Sequence, residues 1–298
     1  ASSYRIEEAT YRPHYMEHFL MRYRLKTRLS AKTYSAMIET EQITNENIQY
    51  IFQAPGIDLI HVSDRALTFS VVNYSDVVDK NFKMYLCAQF DHDIHVSQQK
   101  ETLLITSQSS HSTLRIASSF ISPQQARLNL EREQESSFDA YKEKVAQKWK
   151  HYLSKIEVED HDFEKVKLFY QNFYRVFLFP QKHYEVNEQG LKHYYDPYSQ
   201  TVKQGVMYTN NGFWDTSITV YPLFSLIAKE EYEEMLEGFL NFYRNSGWLP
   251  KWLSPDERGL MPGTLIDAVI ADAAVKNIGH KLMPDFLEAM IYSAENDA

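Results

Sequence analysis

Near Ser122 the apolar residues of this 298-residue chain change their period, and that change limits the fold more than any other feature. Before it, apolar and polar residues alternate. From Phe19 to Thr33 the odd positions read Phe, Met, Tyr, Leu, Thr, Leu, Ala, Thr, and the even ones Leu, Arg, Arg, Lys, Arg, Ser, Lys. Strict alternation predicts a half-buried antiparallel strand with one apolar and one basic face. The basic face reads as solvated, with Glu7, Glu8 and Glu17 close by in sequence. "FKMYLCAQF" alternates in the same way, and "IQYIF", "ALTFSVV", "TLLIT" and "STLRIASSFI" are short β-like runs between polar turns. Several short strands at regular spacing predict a β-sandwich over residues 1–122.

After Ser122 the period is helical. "SPQQARLNLEREQ" opens on a Ser-Pro cap, and Phe138, Tyr141, Val145, Trp149 and Tyr152 then recur at helical spacing. These predict a linker helix region over 123–158. Phe163, Val166, Tyr170, Phe173 and Phe177 form one stripe that Pro180 stops, as expected of an inner helix in an all-α layer. "EEYEEMLEGFLNFYRNSG" has acidic residues at its start, Arg244 near its end and Gly247 as its stop; "GTLIDAVIADAAVKNIG" predicts one more helix. The fold class is therefore two-domain α+β, an antiparallel β-sandwich followed by a linker helix and an all-α domain over 159–298.

Composition narrows the function. A formal charge of −9 argues against nucleic acid and against an anionic membrane as partners, since both demand a basic surface. No apolar run is long enough to cross a bilayer. The single cysteine, Cys87, excludes an internal disulfide and a cysteine-based zinc site, and leans toward a reducing, cytoplasmic compartment over secretion. The opening "ASSYRIEE", with neither a start methionine nor a signal-like stretch, reads as a cut. Aromatic residues make up 14% of the chain, and three of the 4 tryptophans (Trp214, Trp248, Trp252) lie in the last third. Gly205, Gly212, Gly238, Gly247, Gly259, Gly263 and Gly279 fall there too, so turns and amphipathic ring faces coincide in one region.

The candidate chemistry is in that region. "HYMEH" and "DHDIH" have metal-ligand residue types, but both read as turns next to strands. Asp215, Asp256, Glu257, Asp267 and Asp272 sit among the glycines and tryptophans, and glycoside hydrolysis usually needs two carboxyl groups. Asp267 and Asp272 lie about 140° apart on a helix and cannot face one substrate together; Asp272 reads as structural. Asp215 follows a Gly-Phe-Trp turn and precedes a helix. It suits an N-cap, and it suits a sugar ligand with Trp214 offering a ring face; local sequence favours the cap. In "SGWLPKW", Trp248 and Trp252 flank Pro250 and Lys251, which resembles a binding rim more than core packing.

Set in order, these pieces carry a family resemblance. "GFWDTSITVYPLFSLI", "NFYRNSGWLPKW" and "MPGTLIDAVIADAAVK" resemble the opening of the catalytic domain of glycoside hydrolase family 92, the calcium-dependent exo-acting α-mannosidases. "ATYRPHYMEHFLMRYRLKTRLSAKTYSAMI", "ISPQQARLNLERE", "WKHYLSKIEVE" and "LFYQNFYRVFLFPQ" resemble its sandwich strand, linker and first barrel helix. The resemblance implies a β-sandwich followed by an (α/α)6 barrel only partly present here, with the site at their interface. It implies inverting removal of terminal α-linked mannose, α-1,2 among the linkages, from oligosaccharides or N-glycans. It also implies a Ca²⁺ cofactor. Trp214 and Asp215 would line the terminal-mannose subsite, with Trp248, Lys251, Trp252 and Asp267 as further substrate contacts. Many relatives have Gly-Asp-His-Ala where this chain has Gly263-Thr264-Leu265-Ile266-Asp267, so the Asp-His contact is absent. The family's acid glutamate, base aspartates and calcium ligands are expected past Ala298, with the remainder of the barrel as this segment's partner. Two other classes stay open: a carbohydrate-binding module without catalysis, and another (α/α)6 glycosidase or phosphorylase.

Overall fold

The computed structural model describes residues 2–73, 77–261 and 263–296. The chain divides into two compact units, Ala1–Asn73 with Lys83–Glu157, and Tyr74–Phe82 with Val158–Ala298. The first unit contains β1 (Thr10–Arg12), β2 (Tyr15–Leu20), β3 (Leu25–Ala31), β4 (Ser35–Gln42), β5 (Gln49–Gln53), β6 (Asp58–Val62), β7 (Ala66–Val72), β8 (Lys83–Phe90), β9 (Ile94–Gln99), β10 (Thr102–Ser107) and β11 (His111–Ser119). One antiparallel sheet of 8 strands runs β1-β2-β3-β4-β11-β8-β7-β6, and a second of 3 strands runs β5-β10-β9. Leu67, Phe69, Ala88, Phe90 and Leu114 of the large sheet meet Leu103 and Ile105 of the small one in a buried core. This is the sandwich that the alternation predicts.

The other face of the large sheet is covered as well. Helix α1 (Pro123–Glu133) sets Ala126 and Leu130 against Cys87 and Ala117, and α2 (Phe138–Leu153) sets Phe138, Tyr141 and Val145 against Met37. Met37 and Ile38 are neighbours on β4, yet one packs under α2 and the other into the sandwich core, because successive strand residues serve opposite faces. Residues 123–153 thus form a third layer on the sheet. Each helix opens on a serine cap as its sequence predicts: the Ser122 hydroxyl accepts from the Gln125 N–H at 3.0 Å, and the Ser137 hydroxyl from the Ala140 N–H at 3.2 Å.

The alternating run 19–33 is not one strand. β2 ends at Leu20, residues 21–24 turn with Arg24 at φ 51°, and β3 pairs Leu25 with Leu20 and Lys26 with Phe19. Leu20, not Phe19, therefore shares a face with Leu25. The turn carries the same alternation as the strands and contains neither Gly nor Pro, so periodicity runs through it unmarked. Nor is the basic face merely solvated. The Arg28 Nε donates to Glu39 at 2.6 Å with the guanidinium 4.5 Å from the Phe138 ring centre, Lys26 lies 3.5 Å from Glu17, and Lys32 reaches Glu135 at 2.7 Å. Carboxylates from adjacent strands and from the segment between the helices neutralise Lys26, Arg28 and Lys32. His14 lies in a turn as expected, whereas His18 lies on β2. In the second His-Asp cluster, Asp91 accepts from the Thr113 N–H at 2.8 Å and Asp93 pairs with Arg65 at 2.7 Å.

The second unit contains α3 (Phe163–Val176), α4 (Phe213–Thr216), α5 (Val220–Ile227), α6 (Lys229–Ser246), α7 (Leu265–Val275) and α8 (Met283–Glu295). Between α3 and α4 lie β12 (Gln181–Lys182), β13 (Glu185–Val186), β14 (Lys192–Asp196), β15 (Thr201–Gln204), β16 (Tyr208–Thr209) and β17 (Asn211–Gly212), and β18 (Trp252–Leu253) follows α6. Most of these strands are too short to show a period, so the all-α reading passes over them. The core is aromatic: Phe213 packs edge-on to Phe239 at 5.0 Å and near-parallel to Tyr221 at 6.1 Å, and Tyr221 meets Tyr232 at 5.3 Å. Gly247, at φ 82°, ends α6 as predicted. The α3 stripe is buried only toward its C-terminal end; Phe173 is 4% exposed while Phe163 is 72% exposed.

Glu234 of α6 ties this unit together. Its carboxylate accepts from the Tyr184 hydroxyl at 2.6 Å, the Tyr208 hydroxyl at 2.5 Å and the Lys192 ammonium, with Lys182 3.3 Å away. Burial pushes its pKa up, but the Lys192 and hydroxyl hydrogen bonds outweigh that and hold it at about 2. A depressed folded-state value stabilises above the unfolded pKa and loses that contribution as pH falls toward the folded one. Glu234→Gln is therefore expected to destabilise the protein at pH 7 by on the order of 1–2 kcal/mol. Thermal unfolding should show this gap closing as the pH drops from the ordinary carboxylate range toward 2.

Candidate functional site

The site grows from a contact between two short strands. β17 pairs with β18 so that Asn211 faces Leu253 and Gly212 faces Trp252. A Cβ on Gly212 would stand 2.3 Å from the indole Nε1 and 2.6 Å from Cδ1 of Trp252, so only glycine admits this approach. The chain passes directly from Gly212 into α4. Phe213 is buried in the aromatic core, and the next two side chains face outward: Trp214 is 54% exposed and Asp215 is exposed. The core ring thus fixes the base of a turn whose polar and aromatic residues stay free.

Asp215 is not the N-cap. Gly212 occupies that position, and Asp215 is the third residue of the first turn, where its carbonyl accepts from the Thr219 hydroxyl at 2.8 Å. The Thr216 hydroxyl closes the same turn onto the Gly212 carbonyl at 3.0 Å. Among the described residues the Asp215 carboxylate has no hydrogen-bond or ion-pair partner. Local sequence favours a cap because short helices leave the cap position ambiguous by a residue or more.

The segment from Trp248 to Gly259 forms the second side. The Phe213 N–H reaches the Lys251 carbonyl at 3.4 Å, joining this segment to the start of α4. Lys251 and Trp252 are half-buried, and the Lys251 ammonium has no ion-pair partner among the described residues. Asp256 and Glu257, two of the five carboxylates raised by the sequence, are engaged by backbone. Asp256 accepts from the Val78 N–H at 2.6 Å, and Glu257 accepts from the N–H groups of Lys251 at 2.6 Å, Trp252 at 3.2 Å and Gly259 at 2.9 Å. Burial pushes the Asp256 carboxyl above its usual range. Trp248 turns elsewhere, its ring 5.3 Å from Tyr292 of α8.

Asp267 lies in the first turn of α7, the helix against which α4 packs. Burial raises its carboxyl above the usual range, opposed by a Thr264 hydrogen bond, and among the described residues its buried Oδ1 has no hydrogen-bond partner. A desolvated acceptor in that state suits a ligand hydroxyl. Asp272 pairs with Lys276 at 2.8 Å, the structural role its sequence suggests. β17–β18 and the α4–α7 contact thus bring Trp214, Asp215, Lys251, Trp252 and the helix of Asp267 together, and leave Trp248 with α8. Among the described residues no three or more of His, Cys, Asp and Glu gather as a metal-holding group. No residue here is assigned to a calcium ion, and no step is derived through one.

Comparison with known proteins gives the family and the fold. The model described as the glycosyl hydrolase family 92 catalytic domain matches residues 125–298. No curated protein matches. Among solved structures the chain is similar to the family GH92 inverting mannosidase BT2199 from Bacteroides thetaiotaomicron VPI-5482, with 29% identity and a TM-score of 0.92, covering 100% of this chain and 43% of that one. It also shares the fold of the family GH92 α-mannosidase BT3965 from Bacteroides thetaiotaomicron, at 20% identity and a TM-score of 0.84 over 100% of this chain and 44% of that one. A further structure of that α-mannosidase, in complex with mannoimidazole, matches at 20% identity and a TM-score of 0.84 over 99% of this chain and 43% of that one. The chain thus spans less than half the length of these structures, and its own fold, sandwich then helices, is theirs.

The Gly212 contact has a direct test. Gly212→Ala is expected to displace the Trp252 indole and to destabilise the protein by about 1–3 kcal/mol. A fall in Tm together with a shift in tryptophan emission checks it.

Proposed function

The chain belongs to glycosyl hydrolase family 92, and on that premise we propose that it supplies the sugar-gripping side of an exo-acting α-mannosidase. The observation that carries the reading is the pairing of an exposed Trp214 ring with an Asp215 carboxylate that no described residue engages, on a turn locked by Gly212 and Trp252. A pyranose presents an apolar C–H face and a rim of hydroxyls. An indole face takes the first by dispersion and desolvation, and a free carboxylate takes adjacent hydroxyls in charge-assisted hydrogen bonds. Asp267, whose Oδ1 no described residue engages, and the half-buried Lys251 and Trp252 extend the same surface. Trp248 lies outside this surface, its ring tilted at 54° to that of Tyr292.

The reaction proposed is single-displacement hydrolysis of terminal α-linked mannose, α-1,2 among the linkages, on an oligosaccharide or N-glycan. Inversion needs an acid on the leaving oxygen and a base on a water across the ring, with the two carboxyls roughly 6.5–9.5 Å apart. Glu257, both of whose oxygens are held by backbone N–H groups, is a poor candidate for either role. Acid, base and the ligands of a calcium ion are assigned to the remainder of the barrel, outside these residues. When bound, the ion would supply positive charge and oxygen coordination at the sugar.

The test is hydrolysis of aryl α-mannosides by the full-length enzyme, with and without a chelator. Chelator-sensitive release of mannose is expected, and Trp214→Ala and Asp215→Ala should each lower kcat/KM by about 10–100-fold. Mannoside binding without turnover would instead favour a non-catalytic module, and preference for another aryl glycoside would favour a different (α/α)6 activity.

A further inference from the structure

Glu257 is a carboxylate in the sugar-facing region that the proposed chemistry leaves without a task. Its partners are all backbone. One oxygen accepts from the Lys251 N–H at 2.6 Å and the Trp252 N–H at 3.2 Å, and the other from the Gly259 N–H at 2.9 Å. Its own N–H donates to the Tyr198 hydroxyl at 3.1 Å, and the following N–H, of Arg258, donates back to the Trp252 carbonyl at 3.0 Å. One half-buried side chain therefore closes the segment from Lys251 to Gly259 on itself.

The residue before it looks the other way. Asp256 is 2% exposed and accepts from the Val78 N–H at 2.6 Å. Val78 belongs to the stretch Tyr74–Phe82 that folds with the second unit although it connects two strands of the sandwich. Further along that stretch, Asp79 accepts from the Tyr195 hydroxyl at 2.7 Å and the Phe82 ring lies 5.7 Å from that of Tyr195. The Asp256–Glu257 pair thus faces two ways, one carboxylate onto a docked stretch and the next onto the Lys251–Trp252 backbone.

We infer that Glu257 is the positioning residue of the sugar-binding rim: its carboxylate fixes the Lys251–Trp252 backbone and so holds the indole against Gly212, beside Trp214 and Asp215. The inference rests on the mannosidase reading for the ligand and on the hydrogen bonds above for the device. A single oxygen, Oε2, holds both the Lys251 and the Trp252 N–H groups, and the other holds only that of Gly259. Glu257→Gln can therefore keep the first contact with its amide carbonyl, whereas Glu257→Ala removes both. Glu257 touches no substrate in this role; it acts through Trp252.

The experiment compares Glu257→Ala with the unsubstituted full-length enzyme, at a temperature where circular dichroism shows both folded. The Trp252 signal is isolated by subtracting the emission of Trp252→Phe counterparts. A shifted Trp252 emission is expected, with a KM for aryl α-mannoside raised about tenfold and kcat changed far less. In a Trp252→Ala background, Glu257→Ala should add little further loss. Unchanged Trp252 emission in a folded variant overturns the inference, as does an unchanged KM or an additive effect in the Trp252→Ala background. If the unsubstituted enzyme turns over no mannoside, the functional reading fails, and the emission shift alone then decides whether Glu257 positions the indole. Should Glu257→Ala not fold, Tyr198→Phe, which removes only the acceptor of the Glu257 N–H, is read by the same two measurements in the same direction.

Discussion

The missing side chain at Gly212 is the constraint on which the candidate site depends. It lets the Trp252 indole lie where a Cβ would stand 2.3 Å from Nε1, and so lets β18 pair with β17 at the residue from which α4 begins. From there the arrangement is forced by packing. Phe213 must enter the aromatic core beside Phe239 and Tyr221, and a four-residue helix that buries its first side chain turns the next two outward. The exposure of Trp214 and Asp215 is thus a consequence of burying Phe213.

Charge is divided in a way that separates scaffold from site. Glu234, Asp256, Glu257 and Asp272 each meet ammonium, hydroxyl or backbone donors, which is how a protein retains a partly buried carboxylate. The Asp215 carboxylate and one oxygen each of Asp267 and Asp256 accept no hydrogen bond among the described residues, the Asp256 oxygen lying 3.6 Å from the Arg258 guanidinium. Lys251 is also left without a counter-ion. Unspent hydrogen-bonding capacity beside exposed or half-buried indoles is the chemistry on which the proposed mannoside site rests.

What the sequence made legible depended on how local the cause was. The Ser122 cap, the Gly247 stop and the period of α2 and α6 each arise within a few residues and were readable. The turn at 21–24 was not, because its residues repeat the strand pattern and Arg24 takes a left-handed conformation without a glycine to announce it. The short strands 181–212 offered no period, and α1 and α2 read as a linker because nothing local says that both faces of a sheet will be covered. At the site, the Trp-Asp pair stood out by composition, but the Gly212–Trp252 contact joins distant positions, and its glycine read as a flexible turn. Glu257 was visible only as one carboxylate among five; its three N–H partners appear once the segment is folded.

The central claim is that the Gly212–Asp215 turn grips the terminal sugar. A crystal structure of the full-length enzyme with mannoimidazole tests it most directly. The expected result is the inhibitor ring against the Trp214 indole, with an Asp215 oxygen within hydrogen-bond reach of its hydroxyls. An inhibitor bound in the catalytic cleft but out of contact with both residues would contradict the assignment.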